Sequence, residues 1–189
     1  IEILTEELDG IFYGPIWSDD SSYLAFTSLD LDVTGLWIAT VNNSNVQQLT
    51  TLPIDVASWL PAENRLSVFN RFLDPPANLL DLEGNITPFD NLLSILDGAA
   101  LSNIVWSNEV NLVALEVLED RFRDIWIMDF ETMESLNLTQ SPEWHELEPT
   151  WSPDNLQIAY ISTQDQNAIW IVNIDGSQPQ VLSPILDSD

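Results

Sequence analysis

The residues Pro149–Tyr160 read PTWSPDNLQIAY, and the same pattern recurs three times upstream in the chain. Degraded copies lie at 15–20 (PIWSDD), 57–62 (ASWLPA) and 104–109 (IVWSNE). Each copy carries a leading tryptophan, and the spacings are 42, 47 and 45 residues between Trp17, Trp59, Trp106 and Trp151. Self-similarity at this period is typical of a repeat architecture. The sequence therefore predicts four similar structural units.

Further segments recur in register with the leading tryptophans. An apolar triplet follows seven residues later, at 24–26 (LAF), 66–68 (LSV), 113–115 (VAL) and 158–160 (IAY). A second follows after about twenty residues, at 36–38 (LWI), 78–80 (NLL), 125–127 (IWI) and 169–171 (IWI). Such β-branched and aromatic runs favour strands, and turn formers such as 153–155 (PDN) lie between them. Four antiparallel strands at this period predict the blade of a β-propeller.

The same residues carry a family resemblance. The pattern PTWSPD at 149–154, followed by IAY and by IWIVNIDG at 169–176, resembles the repeat of the TolB-like propellers, the WD40-like PD40 family. The last copy matches best, and the second keeps Trp59 and little else. The resemblance implies an all-β propeller of four blades, each of four antiparallel strands, or part of a larger propeller. Its blades are expected at about 15–50, 57–90, 104–139 and 149–184, after an N-terminal strand and connection at 1–14.

The composition narrows the range of partners. The 189 residues include 31 acidic side chains but only four basic ones, all arginine, which gives a net charge of −27. This charge argues against nucleic acid and against anionic membrane surfaces. The chain contains no uninterrupted apolar run long enough for a membrane span and no cysteine for disulfides. We expect a solvated acidic surface that attracts basic partners or divalent cations.

The N-terminal segment Ile1–Thr5 (IEILT) resembles a closing strand of a blade, as in 46–50 (VQQLT) and 136–139 (LNLT). Counting closing strands gives five, whereas counting leading tryptophans gives four. The surplus strand could complete a blade of a longer parent, pair with the last blade, or pair with another molecule. The third placement makes its side chains candidate interaction residues: Ile1, Ile3, Leu4 and Thr5.

Two arginines form the other candidate interaction site. Arg121 and Arg123 carry half of the positive charge and lie among acidic residues near the central hairpin of blade 3. Local ion pairs are the default interpretation. The alternative is a docking point for the acidic surface of a neighbouring copy.

Metal and catalytic signals are weak. The segment 30–35 (DLDVTG) resembles the start of a calcium loop but lacks the third oxygen ligand and the distal glutamate, so an acidic hairpin is favoured over a calcium site. His145, the only histidine, could act as a general base or metal ligand. A connection loop in which Trp144 packs between blades is the preferred interpretation. No cofactor and no catalytic residue are predicted.

These features predict a non-catalytic propeller, not an enzyme, that binds proteins and self-associates, with donation of the first strand as one route. Because the chain begins at Ile1 without a methionine or a charged and apolar leader, we expect a processed or excised segment. The expected location is extracellular or periplasmic. One alternative is the propeller domain of a larger enzyme, such as the gating domain of a peptidase. Another is a calcium- or carbohydrate-binding module.

Overall fold

The computed structural model describes residues 9–42, 45–90, 92, 99–108, 111–164 and 167–182. These residues form sixteen β-strands in four antiparallel sheets of four strands each. In every sheet the strands are hydrogen-bonded in chain order, so each sheet is a meander. The predicted all-β propeller fold with four four-stranded blades is confirmed. The predicted strand Ile1–Thr5 lies outside the described residues, as does most of the interblade segment 91–101.

The chain divides into two compact units, 1–90 and 91–189. The first unit contains blades 1 and 2. The strands of blade 1 are β1 (Tyr13–Trp17), β2 (Tyr23–Ser28), β3 (Gly35–Thr40) and β4 (Asn45–Thr50). Those of blade 2 are β5 (Val56–Trp59), β6 (Arg65–Phe69), β7 (Ala77–Asp81) and β8 (Ile86–Pro88). Blade 2, with the weakest repeat motif, nevertheless forms all four strands.

The second unit contains blades 3 and 4. The strands of blade 3 are β9 (Ala100–Trp106), β10 (Leu112–Glu119), β11 (Phe122–Asp129) and β12 (Ser135–Asn137). Those of blade 4 are β13 (Glu146–Trp151), β14 (Gln157–Ser162), β15 (Ala168–Asn173) and β16 (Gln180–Val181).

Each leading tryptophan ends the first strand of its blade and pairs with the first residue of the apolar triplet. The pairs are Trp17 with Leu24, Trp59 with Leu66, Trp106 with Val113, and Trp151 with Ile158. In blade 4 the turn between them is held by Asp154, which accepts hydrogen bonds from the Ser152 hydroxyl (2.6 Å) and the Leu156 amide (3.1 Å). Such side-chain bonds to nearby backbone favour tight turns. The Trp-Ser-x-Asp motif therefore encodes a hairpin.

The same tryptophan also joins neighbouring blades. Trp59 Nε1 donates to the Ile16 carbonyl at 3.2 Å, and Trp151 Nε1 donates to the Val105 carbonyl at 2.8 Å. Each acceptor immediately precedes the leading tryptophan of the previous blade. Trp59 is only 5% exposed and belongs to the buried core of the first unit. The core of the second unit is likewise built by both of its blades, including Ala114, Ile125, Ile158 and Val172.

Candidate functional site

The second unit buries two carboxylates, and the first of them is paired. Glu116 on β10 is 4% exposed. Its Oε1 lies 3.3 Å from Arg123 Nε, and its Oε2 accepts the Glu148 amide at 3.0 Å. Burial raises the pKa of Glu116, while the Glu148 amide and the Arg123 charge oppose this rise. Both oxygens of this buried carboxylate therefore have a partner.

The two predicted arginines occupy different surroundings. Arg123 lies beside Glu116 and also donates to the Ser102 hydroxyl at 3.1 Å. Arg121 is exposed and lines an open cleft of about 530 Å³ together with Glu119, Phe122 and Asp124. The structure thus places one arginine in a local ion pair and the other at a surface cleft. Their role in binding a partner stays a prediction.

Glu146, the second buried carboxylate, has a different environment. It begins β13 and is 4% exposed. Its Oε1 accepts the Ser162 hydroxyl at 3.2 Å, but Oε2 is buried with no hydrogen-bond partner among the described residues. None of the ion pairs formed by the described residues includes Glu146. Burial raises its pKa to about 7 and the Asp124 charge adds to the rise, while the Ser162 and Ser141 hydroxyls oppose it.

The repeat shows how unusual this glutamate is. The residue five positions before the leading tryptophan is apolar in the other blades: Phe12, Ile54 and Leu101. Ile54 and Leu101 are buried, at 2% and 3% exposure. In blade 3 Leu101 faces Val117 across the strand pair, whereas in blade 4 Glu146 faces Ser162. Blade 4 therefore has a polar pair where blade 3 has an apolar one.

A cavity of about 330 Å³, here called the Glu146 cavity, opens beside this polar pair. The residues that line it include Trp144, Glu146, Tyr160, Ser162, Gln164 and Trp170. Trp170 contributes a second buried polar atom, Nε1, that has no partner among the described residues. Burial, and the charge of Glu146, raise the pKa of the Tyr160 hydroxyl, which therefore stays protonated. The cavity combines aromatic rings with a carboxyl group that lacks a countercharge.

His145, which the sequence offers as a candidate general base or metal ligand, directly precedes Glu146 in the chain. His145 Nδ1 accepts the Arg123 amide at 3.3 Å, and its ring centroid lies 5.4 Å from that of Phe122. The sequence predicts that Trp144 packs between blades, and in the structure Trp144 is 38% exposed and lines the Glu146 cavity. The sequence predicts blade 4 from about residue 149, which leaves Glu146 in the preceding connection, whereas in the structure Glu146 is the first residue of β13. Comparing the fifth residue before each leading tryptophan would have identified it.

In the acidic hairpin at 30–35, Asp30 accepts hydrogen bonds from backbone amides of the protein. Asp30 Oδ2 accepts the Ile11 amide, and the Asp30 carbonyl accepts the Val33 amide at 3.0 Å. Across the part of the chain that the structure describes, no group of three or more His, Cys, Asp or Glu side chains is placed to hold a metal ion. Nor does this part contain a helix long and apolar enough to cross a membrane.

The first unit presents a different feature, an exposed apolar edge on blade 1. Trp17 is 57% exposed although it occupies the repeat position at which Trp59 is buried. Tyr13 on the same edge strand and Ile11 before it are 50% and 59% exposed. These three residues, Ile11, Tyr13 and Trp17, are called the blade 1 edge below. Large aromatic side chains exposed together are characteristic of interaction surfaces.

Comparison with known proteins supports the fold. No family model matches the sequence, and no curated protein matches it. Among solved structures, a putative TolB from Agrobacterium tumefaciens matches 93% of this chain with a TM-score of 0.70 and 20% identity, over 62% of its own length. TolB from Acinetobacter baumannii matches 93% with a TM-score of 0.70 and 14% identity, over 44% of its length. A puromycin hydrolase matches 92% with a TM-score of 0.64 and 15% identity, over 29% of its length.

These matches show that the chain has a TolB-like β-propeller fold. They include TolB structures and an enzyme, so the shared fold leaves the activity open. The chain spans less than two thirds of the length of each of these structures.

Proposed function

We propose that this chain is a non-catalytic β-propeller module that binds proteins through the blade 1 edge. We propose further that the protein bound there is another copy of the same chain. The observation that carries the proposal is the exposure of Trp17, 57% against 5% for Trp59 at the equivalent repeat position. Trp59 is covered because a neighbouring blade packs on it and supplies a carbonyl acceptor. Trp17 has the shape and polarity to receive a blade-like surface in the same way.

The chemistry of the edge suits a protein partner. Tryptophan and tyrosine bring large apolar area and a polar tip, which makes them frequent anchors of protein interfaces. The acceptor that Trp59 uses is the backbone carbonyl that precedes a leading tryptophan, and in blade 4 of another copy the equivalent carbonyl is that of Thr150. An interface between unlike surfaces of two copies is heterologous and builds chains or rings. Donation of Ile1–Thr5 to a neighbouring copy is a compatible second contact.

The net charge of −27 sets the conditions for this association. Like-charged copies repel each other at low ionic strength, and salt screens this repulsion. Arg121, exposed at its cleft, offers a positive group to the acidic surface of a neighbour. We further propose a periplasmic or extracellular location, which the TolB-like fold favours.

Light scattering on the size-separated chain, at low and moderate salt, tests the proposal. The wild type is expected to form oligomers at moderate salt in a concentration-dependent way, and Trp17→Ala is expected to shift it to monomers. Phe72→Ala is the matched control, because Phe72 is an 83% exposed aromatic residue of the same unit outside the blade 1 edge. A wild type that stays monomeric at moderate salt, or a Trp17→Ala variant that associates like the control, would overturn self-association through this edge.

A second candidate is the propeller domain of a larger enzyme, which the likeness to part of a puromycin hydrolase supports. Here the blade 1 edge would contact a catalytic domain instead of another copy. A parent reading frame with a Gly-x-Ser-x-Gly nucleophile motif beyond this segment would favour this candidate. A parent frame lacking any hydrolase motif would count against it.

A further inference from the structure

We propose that the Glu146 cavity binds an organic cation, a primary ammonium group carried on an alkyl chain, with Glu146 as its countercharge. This site belongs to the second unit and shares no residue with the blade 1 edge. The inference goes beyond the proposed protein interaction and does not depend on it.

The first step is the comparison of the two buried carboxylates. Glu116 and Glu146 are equally buried, at 4% exposure, and belong to the same unit. Glu116 has Arg123 beside it and a backbone amide on its second oxygen. Glu146 has the Ser162 and Ser141 hydroxyls near it in place of a positive group, and its Oε2 has no hydrogen-bond partner among the described residues. A buried charge normally requires a partner, so Glu146 lacks a positive group that a ligand could supply.

The second step is the electrostatic field at the cavity. Asp124 on β11 disfavours the charged form of Glu146, which shows that the surroundings are already negative. Among the described residues, the Tyr160 hydroxyl on β14 also interacts with Glu146 but bears no positive charge, and the adjacent His145 accepts the Arg123 amide at Nδ1. A cation entering the cavity would relieve this unfavourable field, whereas an anion would add to it. The net charge of −27 also concentrates cations near the surface.

The third step is the shape and chemistry of the walls. Trp144, Tyr160 and Trp170 line the cavity beside Glu146, and aromatic rings attract ammonium groups through their negative faces. The volume of about 330 Å³ is at the lower end of the range for small-molecule sites. Trp170 Nε1 is a buried donor without a partner among the described residues, so a carbonyl on the ligand would complete the site. These features fit a short alkylammonium ligand, free or as a lysine side chain.

Binding should be coupled to the ionisation of Glu146. Its pKa is raised to about 7, so the carboxylate that attracts a cation forms only as the pH approaches neutrality. If only the ionised form binds, apparent affinity falls with the ionised fraction, and the affinity at pH 8 should exceed that at pH 5 by up to roughly 100-fold. Cation entry at pH 6 should accordingly release a proton from Glu146.

Calorimetric titration of the full chain provides the test, with n-butylammonium and Nα-acetyl-lysine amide as the two probes. Both are expected to bind saturably at pH 8 and much more weakly at pH 5. Tighter binding of the lysine derivative would identify a lysine-containing ligand, because only that probe carries a carbonyl acceptor for Trp170. Stronger binding of n-butylammonium would identify a free amine as the source. Nα-acetyl-norleucine amide, which lacks the ammonium group, is expected not to bind.

Variants separate this site from general attraction to an acidic protein. Glu146→Gln is expected to abolish saturable binding. Glu143→Gln removes one exposed carboxylate from the same connection and is expected to bind like the wild type. Trp144→Ala gives an independent readout, since Trp144 is 38% exposed and its loss should weaken binding without unfolding the chain. The proposal would be overturned if the wild type shows no saturable binding, or if norleucine amide binds as strongly as the lysine derivative. Equal binding by the two glutamine variants would also overturn it.

Discussion

The two units are built from the same four-stranded blades but differ in which side chains they bury and which they expose. The first unit fills the position five residues before the leading tryptophan with Phe12 and Ile54, and its distinctive feature is an exposed aromatic edge. The second unit buries Glu116 and Glu146, and its distinctive feature is a polar cavity. Because the scaffold is shared, each difference marks a position that packing alone does not explain. The departures from the repeat are therefore the best guide to function in this molecule.

The largest predicted effect concerns the leading tryptophans. Trp59→Ala should destabilise the chain by about 3–5 kcal/mol, since it leaves a cavity in the core and removes the hydrogen bond to Ile16. Trp17→Ala should change stability by less than about 1 kcal/mol, because Trp17 is exposed. Chemical denaturation of both variants checks this. Equal losses of stability would mean that Trp17 supports the fold and is not held available for a partner.

The next effect concerns the ion pairs of the two units. Arg123→Ala should destabilise by roughly 1–3 kcal/mol, because it leaves the buried Glu116 without its countercharge, although Arg123 itself is partly exposed. Arg65→Ala removes an exposed pair with Glu63 and should cost about 0–1 kcal/mol. Denaturation midpoints of both variants at neutral pH provide the measurement. The Arg123→Ala loss should also shrink in acid, where Glu116 takes up a proton.

The last predicted effect is a pH dependence in the second unit. The pKa of Glu146 is about 7 in the folded chain against an ordinary value of 4.5, so the folded state binds more protons than the unfolded state between these values. The contribution of Glu146 to stability therefore falls as the pH rises from about 4.5 to about 7 and is constant above. Glu146→Gln lacks this loss, so its melting temperature relative to the wild type should be higher at pH 8 than at pH 5.

Exposed Glu131 gives the control for this slope, because Glu131→Gln removes the same charge at the surface. The difference in melting temperature between Glu131→Gln and the wild type should be nearly the same at pH 5 and pH 8. If the difference in melting temperature between Glu146→Gln and the wild type is also the same at both pH values, Glu146 titrates like an exposed carboxylate. That result would contradict the cavity site, which requires a buried and unpaired Glu146.

Much of the fold follows from the sequence because strand patterning and turn chemistry are local. The leading tryptophans and the triplets after them predicted the first hairpin of each blade, and Asp154 shows why the motif makes a turn. Trp59 alone was enough to predict blade 2, since the indole of this leading tryptophan donates a hydrogen bond to the neighbouring blade. Strand starts were less predictable: β13 begins at Glu146, where proline and charged neighbours suggested a loop.

The candidate sites depend on distant residues and were harder to predict. The Glu146 cavity forms from the connection at 139–146 and from blade 4, and no local pattern indicates that these segments leave a space. The pairing of Arg123 with Glu116, in contrast, follows from diagonal positions on one hairpin, since Arg123 faces Leu118, two residues along β10 from Glu116. The charge pattern suggested such a local pair. The exposure of Trp17 could not be read from a motif that is shared with buried Trp59.

Hydrogen exchange of the intact chain at low and high protein concentration, in moderate salt, tests most directly whether the blade 1 edge is a docking surface. The proposed self-association predicts that exchange slows with concentration in the segment 9–22, which contains Tyr13 and Trp17, and that Trp17→Ala removes this protection. Concentration-dependent protection confined to other segments, or none in the associated state, would contradict docking at this edge.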